Sequence, residues 1–169
     1  MGSNYERELK AILKGDEKVL SVVTRGCSPI EKEKYMMIKK RPFIVVRAAG
    51  SYGMDLVAVR GDISLLVEIK SSSSDTLHFS SKSGKLQKQA VDMKEECERA
   101  GALPIYAFRL KNYRGDAWRI FTLDIDGLEG RVKVLHSRLP KLENSRENNL
   151  IMRWRDGMPL SEFIYYLAR

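Results

Sequence analysis

Apolar positions recur at two different spacings along this chain, and the changes of spacing divide it into helices and strands. Near the start, Leu9, Ile12 and Leu13 form one apolar stripe with helical spacing. The pattern predicts an amphipathic helix over residues 5–14, with Asn4 as its N-cap.

Two further helices are predicted before the first strand. Residues 17–24 have helical apolar spacing, and Ser28 and Glu31 frame a capping box with proline at the first helical position. The second of these helices should therefore cover residues 29–40. Together they form a lysine-rich helical insert at residues 15–41. This insert either contacts a DNA backbone or presents a solvated face, and the sequence leaves both interpretations open.

Strand patterns follow the insert. Residues 43–48 form a continuous apolar, β-branched run, which predicts a buried strand. Residues 54–60 and 63–70 are two more apolar runs, and Gly61-Asp62 between them is typical of a tight turn. The last two strands should therefore pair as an antiparallel hairpin.

The rest of the chain continues to alternate between helix and strand. A serine-rich loop follows the hairpin, and the pattern then predicts a helix at 84–100 ending at Gly101, strands at 103–110, 118–123 and 132–135, and a last helix at 160–168. This order predicts a single α/β domain over residues 1–169, with a mixed central sheet flanked by helices.

Composition excludes several classes of protein. The 169 residues with 43% hydrophobic content are enough for one core. No apolar run approaches about eighteen residues, so no membrane span is expected, and the first residues predict no signal peptide. Cys27 and Cys97 lie in different predicted elements and the chain has only two histidines, which disfavours a disulfide framework and a zinc site. A reducing cytoplasm is the expected location.

The charge of the chain favours polyanionic partners. The formal net charge is +8 and the pI is near 9.5. Lysines and arginines could simply make a solvated surface, but here they concentrate in the segments 32–41, 82–94, 109–119 and 131–155. This clustering favours nucleic acid as the partner.

Three charged side chains interrupt the apolar hairpin. Glu68 and Lys70 are two residues apart, so they project from one face of their strand. Antiparallel pairing can bring Asp55, at the start of the neighbouring strand, across to Glu68. Carboxylates inside a buried strand are costly unless positive charge lies beside them. Two acids and one base on one patch of sheet suit a divalent cation with an ammonium beside it, an arrangement that hydrolyses phosphodiesters.

The spacing D-x12-E-I-K, from Asp55 to Lys70, resembles the PD-(D/E)xK nuclease signature, with Met54 where proline is frequent. The signature is loose, and the alternative is a surface ion-pair cluster on a half-exposed sheet. The flanking sequence decides between the two. The segments ERELKAIL, PFIVVRAAGSYGMDLVAV, LLVEIKSSS, GALPIYAFRL, WRIFTLD and GMPLSEF occur in the order found in the archaeal Holliday junction resolvases, and the chain resembles that family outside residues 15–41.

The resemblance implies a restriction-endonuclease-like fold and a symmetric homodimer that uses Mg²⁺, with Mn²⁺ as its expected substitute, to make paired nicks in a four-way junction. No small-molecule cofactor is expected. By position, the metal carboxylates would be Glu6, Asp55 and Glu68, with the carbonyl of Ile69 as a further ligand and Lys70 as the catalytic lysine.

Four other residues are assigned DNA-binding or supporting roles. Arg47 matches a basic residue beside the family's site, and Ser51 matches the serine of the loop before the acid. Arg7 is expected to face solvent beside Glu6, and Gln87 either supports the site or is a solvated glutamine.

Departures from the family keep other functions open. The chain lacks the Arg-Lys-Gly that usually precedes the first helix, and it has gained the helical insert. An endonuclease acting on flaps, ends or other branched DNA is therefore an alternative to a junction resolvase. A DNA-binding module with a decayed site is a third possibility, which the presence of all four expected catalytic side chains disfavours.

Overall fold

The computed structural model describes residues 4–48, 54–79, 84–144 and 149–169. The helices are α1 (Asn4–Leu13), α2 (Glu17–Val23), α3 (Pro29–Met36), α4 (Lys85–Ala100), α5 (Gly130–Arg138) and α6 (Leu160–Ala168), with 3-10 turns at Met37–Lys40 and Trp154–Asp156. The strands are β1 (Ile44–Arg47), β2 (Leu56–Val59), β3 (Ser64–Ser72), β4 (Thr76–His78), β5 (Leu103–Leu110), β6 (Trp118–Phe121), β7 (Glu143–Asn144), β8 (Leu150–Arg153) and β9 (Met158–Pro159).

A six-stranded mixed sheet forms the centre of the fold, in the order β1-β2-β3-β5-β6-β9. Strands β3 and β5 pair in parallel, the other paired strands described in this sheet are antiparallel, and α4 makes the crossover between β3 and β5. The hairpin of β2 and β3 aligns Leu56 with Val67, which brings the residue before Leu56 level with Glu68. The parallel register aligns Glu68 with Tyr106. The predicted mixed sheet flanked by helices is confirmed.

Helices α1 and α6 pack on one face of this sheet. On that face Tyr5 of α1 meets Trp118 edge-on, with ring centroids 6.5 Å apart, and Arg60 donates to the carbonyl of Leu167 in α6. The other face is covered beside β5 by Phe79, whose ring centroid lies 5.5 Å from that of Tyr106. On β3, Glu68 and Lys70 alternate with residues that face α1, and they therefore lie on the same face of the sheet as Tyr106.

The helical insert is fixed to the domain by buried polar contacts. Its Ser28–Glu31 capping box forms as predicted. Tyr35 donates to Asp116 Oδ1 over 2.7 Å, and the other carboxylate oxygen of Asp116 accepts from the backbone N–H of Ser161. Burial raises the pKa of Asp116, although its hydrogen bonds oppose that shift. The insert is therefore packed onto the β5–β6 loop and α6, which fixes its position relative to the sheet.

Two predictions about strands are wrong. Residues 132–135, predicted as a strand, lie in helix α5, whose buried residues Val132, Leu135 and His136 follow helical spacing. A four-residue segment with apolar residues at Val132, Val134 and Leu135 is compatible with either period, and its two valines suggested the wrong one. The run predicted as a buried strand, 43–48, is the edge strand β1, in which Ile44 and Val46 are exposed.

Short strands account for the other differences. The serine-rich loop contains β4, and the polar connection before the last helix contains β7, β8 and β9. These strands have two to four residues each and, unlike β1, β2 and β6, do not lie within longer apolar runs, so the sequence pattern did not identify them. Both cysteines are free thiols, and no helix in the described parts of the chain is long and apolar enough to cross a bilayer.

Candidate active site

Asp55 occupies the point where β2 begins to pair with β3. Its backbone N–H donates to the carbonyl of Val67 over 2.8 Å, and its own carbonyl accepts from Ala48. Its side chain, through Oδ2, accepts from the backbone N–H of Ile69 over 2.7 Å. The carboxylate is therefore held against the middle of β3, with its orientation fixed by the sheet itself.

Glu68 and Lys70 lie beside this carboxylate on one face of β3. Lys70 Nζ is 3.3 Å from Glu68 Oε1, and Glu68 is only 7% exposed. Burial raises the pKa of Glu68 to about 7, the ammonium of Lys70 opposes this rise, and the charge and hydrogen bonding of Asp55 add to it. The structure thus places the two carboxyl groups and the amine in one partly dehydrated cluster.

Tyr106 lies directly across from Glu68 on β5. The residue is 1% exposed, and within the described parts of the chain its hydroxyl has no hydrogen-bond partner. Burial, followed by the charge of Glu68, raises the pKa of this hydroxyl. The phenol is therefore neutral at ordinary pH and is a buried donor at the wall of the cluster.

Glu6 forms an ion pair with Arg47. It lies on α1, 3.8 Å from Arg47 Nη2. Arg47 is aligned with Leu56 of β2, on the face of the sheet that α1 covers. Over the described residues, no group of three or more histidines, cysteines, aspartates or glutamates is placed to share a metal ion. The structure joins Asp55, Glu68 and Lys70, and the metal-binding role of Glu6 stays a prediction.

The expected supporting residues are dispersed. Arg7 is exposed on α1, at an apolar groove between α1 and α2. Gln87 Oε1 accepts from the backbone N–H of Leu150 over 3.1 Å, so it links α4 to β8. Ser51 lies outside the described residues. None of these three assignments is tested by the geometry.

A family model matches most of the chain. The model of the archaeal Holliday junction resolvase family, Hjc, matches residues 21–164. The chain belongs to this family. The matched residues include Asp55, Glu68 and Lys70 but begin after Glu6.

A solved structure of the family has the same fold. Hjc of Archaeoglobus fulgidus, a Holliday junction resolvase from an archaeal hyperthermophile, is similar over 80% of this chain and 92% of its own, with a TM-score of 0.51 and 21% identity. At this identity the likeness establishes the restriction-endonuclease-like fold. No curated protein sequence matches the chain.

The donor set of this resolvase-family site suits a hard divalent cation. Mg²⁺ takes oxygen ligands, keeps several waters and is satisfied by one or two carboxylates. Asp55 and Glu68 supply them, and a cation between them would offset the repulsion and burial that raise the pKa of Glu68. The residues present therefore fit Mg²⁺ without a third carboxylate.

Sequence reasoning missed two features near the site. Tyr106 belongs to an apolar strand and carries no signal by itself, although the parallel register of β3 and β5 would have placed it opposite Glu68. Tyr113 and Trp154 form an aromatic pair with ring centroids 4.7 Å apart. They are forty-one positions apart along the sequence, so no local pattern could pair them.

Proposed function

We propose that this resolvase-family chain is a Mg²⁺-dependent endonuclease that makes paired nicks in four-way DNA junctions as a homodimer. The observation that carries the proposal is the cluster of Asp55, Glu68 and Lys70 on adjacent strands, inside the residues that match the family. An ion-pair cluster kept only for stability would not need a buried carboxylate whose pKa is raised rather than lowered.

Each residue of the cluster has a role that its contacts support. Asp55 is oriented by the N–H of Ile69, and together with Glu68 and the Ile69 carbonyl it would hold the metal ion. When bound, Mg²⁺ lowers the pKa of its water and offsets charge on the phosphate. Lys70 is close enough to Glu68 to donate to a water or phosphate oxygen at the same place, which orients the attacking water.

Paired nicks require two such sites. A four-way junction is symmetric, and two matched cuts need two active sites related by a two-fold axis, which a homodimer supplies. Sedimentation at micromolar concentration tests this part of the proposal, since a strict monomer could not make paired cuts.

The decisive experiment compares cleavage of a mobile four-way junction, a linear duplex and a flap, each with and without Mg²⁺. The chain should cut the junction in preference to the duplex, and only with the metal ion. Asp55→Asn and Glu68→Gln should abolish cutting and leave junction binding nearly intact. Asp92→Asn, which changes an exposed ion pair on α4, is the matched control. Cutting that survives both cluster substitutions would show that the roles are misassigned.

A second candidate, an endonuclease for flaps or other branched DNA, is favoured by the position of the insert. The backbone N–H of Lys111 donates to the carbonyl of Ser72, so the β5–β6 loop lies at the end of β3 that carries Lys70. Gly26 of the insert packs so closely on this loop that a Cβ there would lie 2.8 Å from the backbone nitrogen of Gly115. The insert therefore borders the catalytic end of the sheet, and preferred cutting of the flap would support this second candidate.

A further inference from the structure

We propose that Tyr113 and Trp154 form a stacking platform for an unpaired nucleobase near the cleavage site. The inference rests on the proposed function and specifies how the same site would distinguish branched DNA from an intact duplex. Its starting point is the exposed ring of Tyr113 in the basic β5–β6 loop, packed on the part-buried ring of Trp154, and none of the catalytic roles uses either ring.

The pair lies close to the catalytic lysine. Lys70 is aligned with Phe108, and Phe108 with Arg119, across three neighbouring strands. Strands are spaced about 4.8 Å apart, so the backbone of Arg119 is about 10 Å from that of Lys70 on the same face. The guanidinium of Arg119 lies 3.8 Å from the centre of the Trp154 ring, and the ring centroid of Tyr113 lies 4.7 Å from that of Trp154.

The platform is rigid before any ligand arrives. Trp154 Nε1 donates to the carbonyl of Ala117 over 2.8 Å, and Arg119 donates to the carbonyl of Asp116 over 2.6 Å. Gly115, at a φ of +127°, is so close to Tyr113 that a Cβ there would lie 3.3 Å from the ring edge. A ring held this way loses little conformational entropy when a base stacks on it.

Exposure and charge point to a nucleobase as the ligand. Tyr113 is 42% exposed, whereas Trp118 and Phe79 are buried in the core. Lys111 and Arg114 flank it and are exposed, so phosphates on either side of a stacked base would meet positive charge. Aromatic rings bind any base through its face, but only when that base has left the helical stack. The platform would therefore favour a branch point over a duplex without reading sequence.

The test uses the full chain carrying Glu68→Gln, so that binding is measured without cutting. A junction with 2-aminopurine at the branch point reports stacking through quenching of its fluorescence. Tyr113→Ala should remove the quenching and weaken junction binding by about 5- to 100-fold, while duplex affinity stays unchanged. Tyr113→Phe keeps the ring and should bind within about twofold of the parent, as the matched control. Thermal unfolding should be the same for all three, since the side chain is in an exposed loop.

Two outcomes would overturn the platform. Junction binding and quenching unchanged in Tyr113→Ala would show that no base stacks there. An equal loss of affinity for junction and duplex would show that Tyr113 supports the basic loop and does not stack on an unpaired base. Junction cleavage by the chain with Glu68 intact tests the proposed function separately from the platform. If that chain cuts junctions and Tyr113→Ala leaves junction binding and quenching unchanged, the platform alone is refuted. A protein that cuts no DNA refutes the proposed function, and the quenching measurement then decides the platform by itself.

Discussion

Glu68→Gln should stabilise the metal-free protein at alkaline pH while abolishing cutting. Glu68 is 7% exposed, and burial together with Asp55 raises its pKa to about 7 from an ordinary value of 4.5. The folded state therefore holds a proton that the unfolded chain releases between these two values. Over that interval the free energy of unfolding falls as pH rises, and above about pH 7 the whole cost is present.

The size of the effect follows from the same shift. A difference of about 2.5 pKa units corresponds to roughly 3 kcal/mol at most. The raised pKa already includes the opposing charge and hydrogen bond of Lys70, so it reflects the net cost of ionising Glu68 in the folded state. A net gain of about 1–3 kcal/mol would raise the melting temperature of a chain of this size by roughly 3–10 °C.

The assay is thermal unfolding in a chelator at about pH 5 and about pH 8.5. The variant should melt above the parent at the higher pH, and the difference should be much smaller or reversed at the lower pH. Glu95→Gln, an exposed position on α4, is the control and should show no such dependence. Added Mg²⁺ should stabilise the parent more than the variant, because a ligand that binds only the folded state raises stability.

One pattern of stability against pH would refute a burial cost at Glu68. If Glu68→Gln were destabilising by the same amount at both pH values, the carboxyl group would not be paying a burial cost in the folded state. Its environment would then be that of an ordinary ion pair with Lys70, and the pKa of Glu68 would no longer support a cation site between Glu68 and Asp55.

Three other changes test different parts of the molecule. Hydrogen bonds and charge from Arg60, aided by Arg41, lower the pKa of Asp62 to about 2, so Asp62→Asn should cost about 1–2 kcal/mol at neutral pH. Because the pKa of Asp62 in the folded state is below its ordinary value of 3.8, the difference in free energy of unfolding between parent and variant should be complete above about pH 4 and should shrink towards pH 2. Urea unfolding measures this difference, and a difference that does not change with pH would contradict the prediction. Tyr106→Phe should raise stability by about 1 kcal/mol in thermal unfolding, since its buried hydroxyl has no partner among the described residues, and a loss would show a hidden partner. Junction affinity should fall about a thousandfold between roughly 50 and 200 mM salt if six or more phosphates are neutralised, and a flat response would exclude backbone recognition.

Elements within long periodic or apolar runs were predicted, whereas the strands β4, β7, β8 and β9, of two to four residues, were not. The bounds of β5 and α6 agree with the prediction residue for residue, and α4 begins one residue later than predicted, after Gly84. Gly101 ends α4 at a φ of +71°, as its type suggests. By contrast, the edge position of β1 depends on which strands pair with it. Its exposed Ile44 and Val46 look the same in sequence as buried residues.

The candidate site shows the same limit at the level of single residues. Asp55, Glu68 and Lys70 are brought together by one hairpin, so a turn at Gly61-Asp62 and the two-residue period of strands are enough to place them. The position of Glu6 depends instead on how α1 lies against the sheet. The apolar stripe of α1 identifies its buried face, but no local pattern gives the place or the angle at which the helix crosses the strands. There the structure shows an ion pair with Arg47, on the helix-covered face. A residue carried over by resemblance is therefore only as secure as the contacts that would orient it, and for Glu6 those contacts are tertiary.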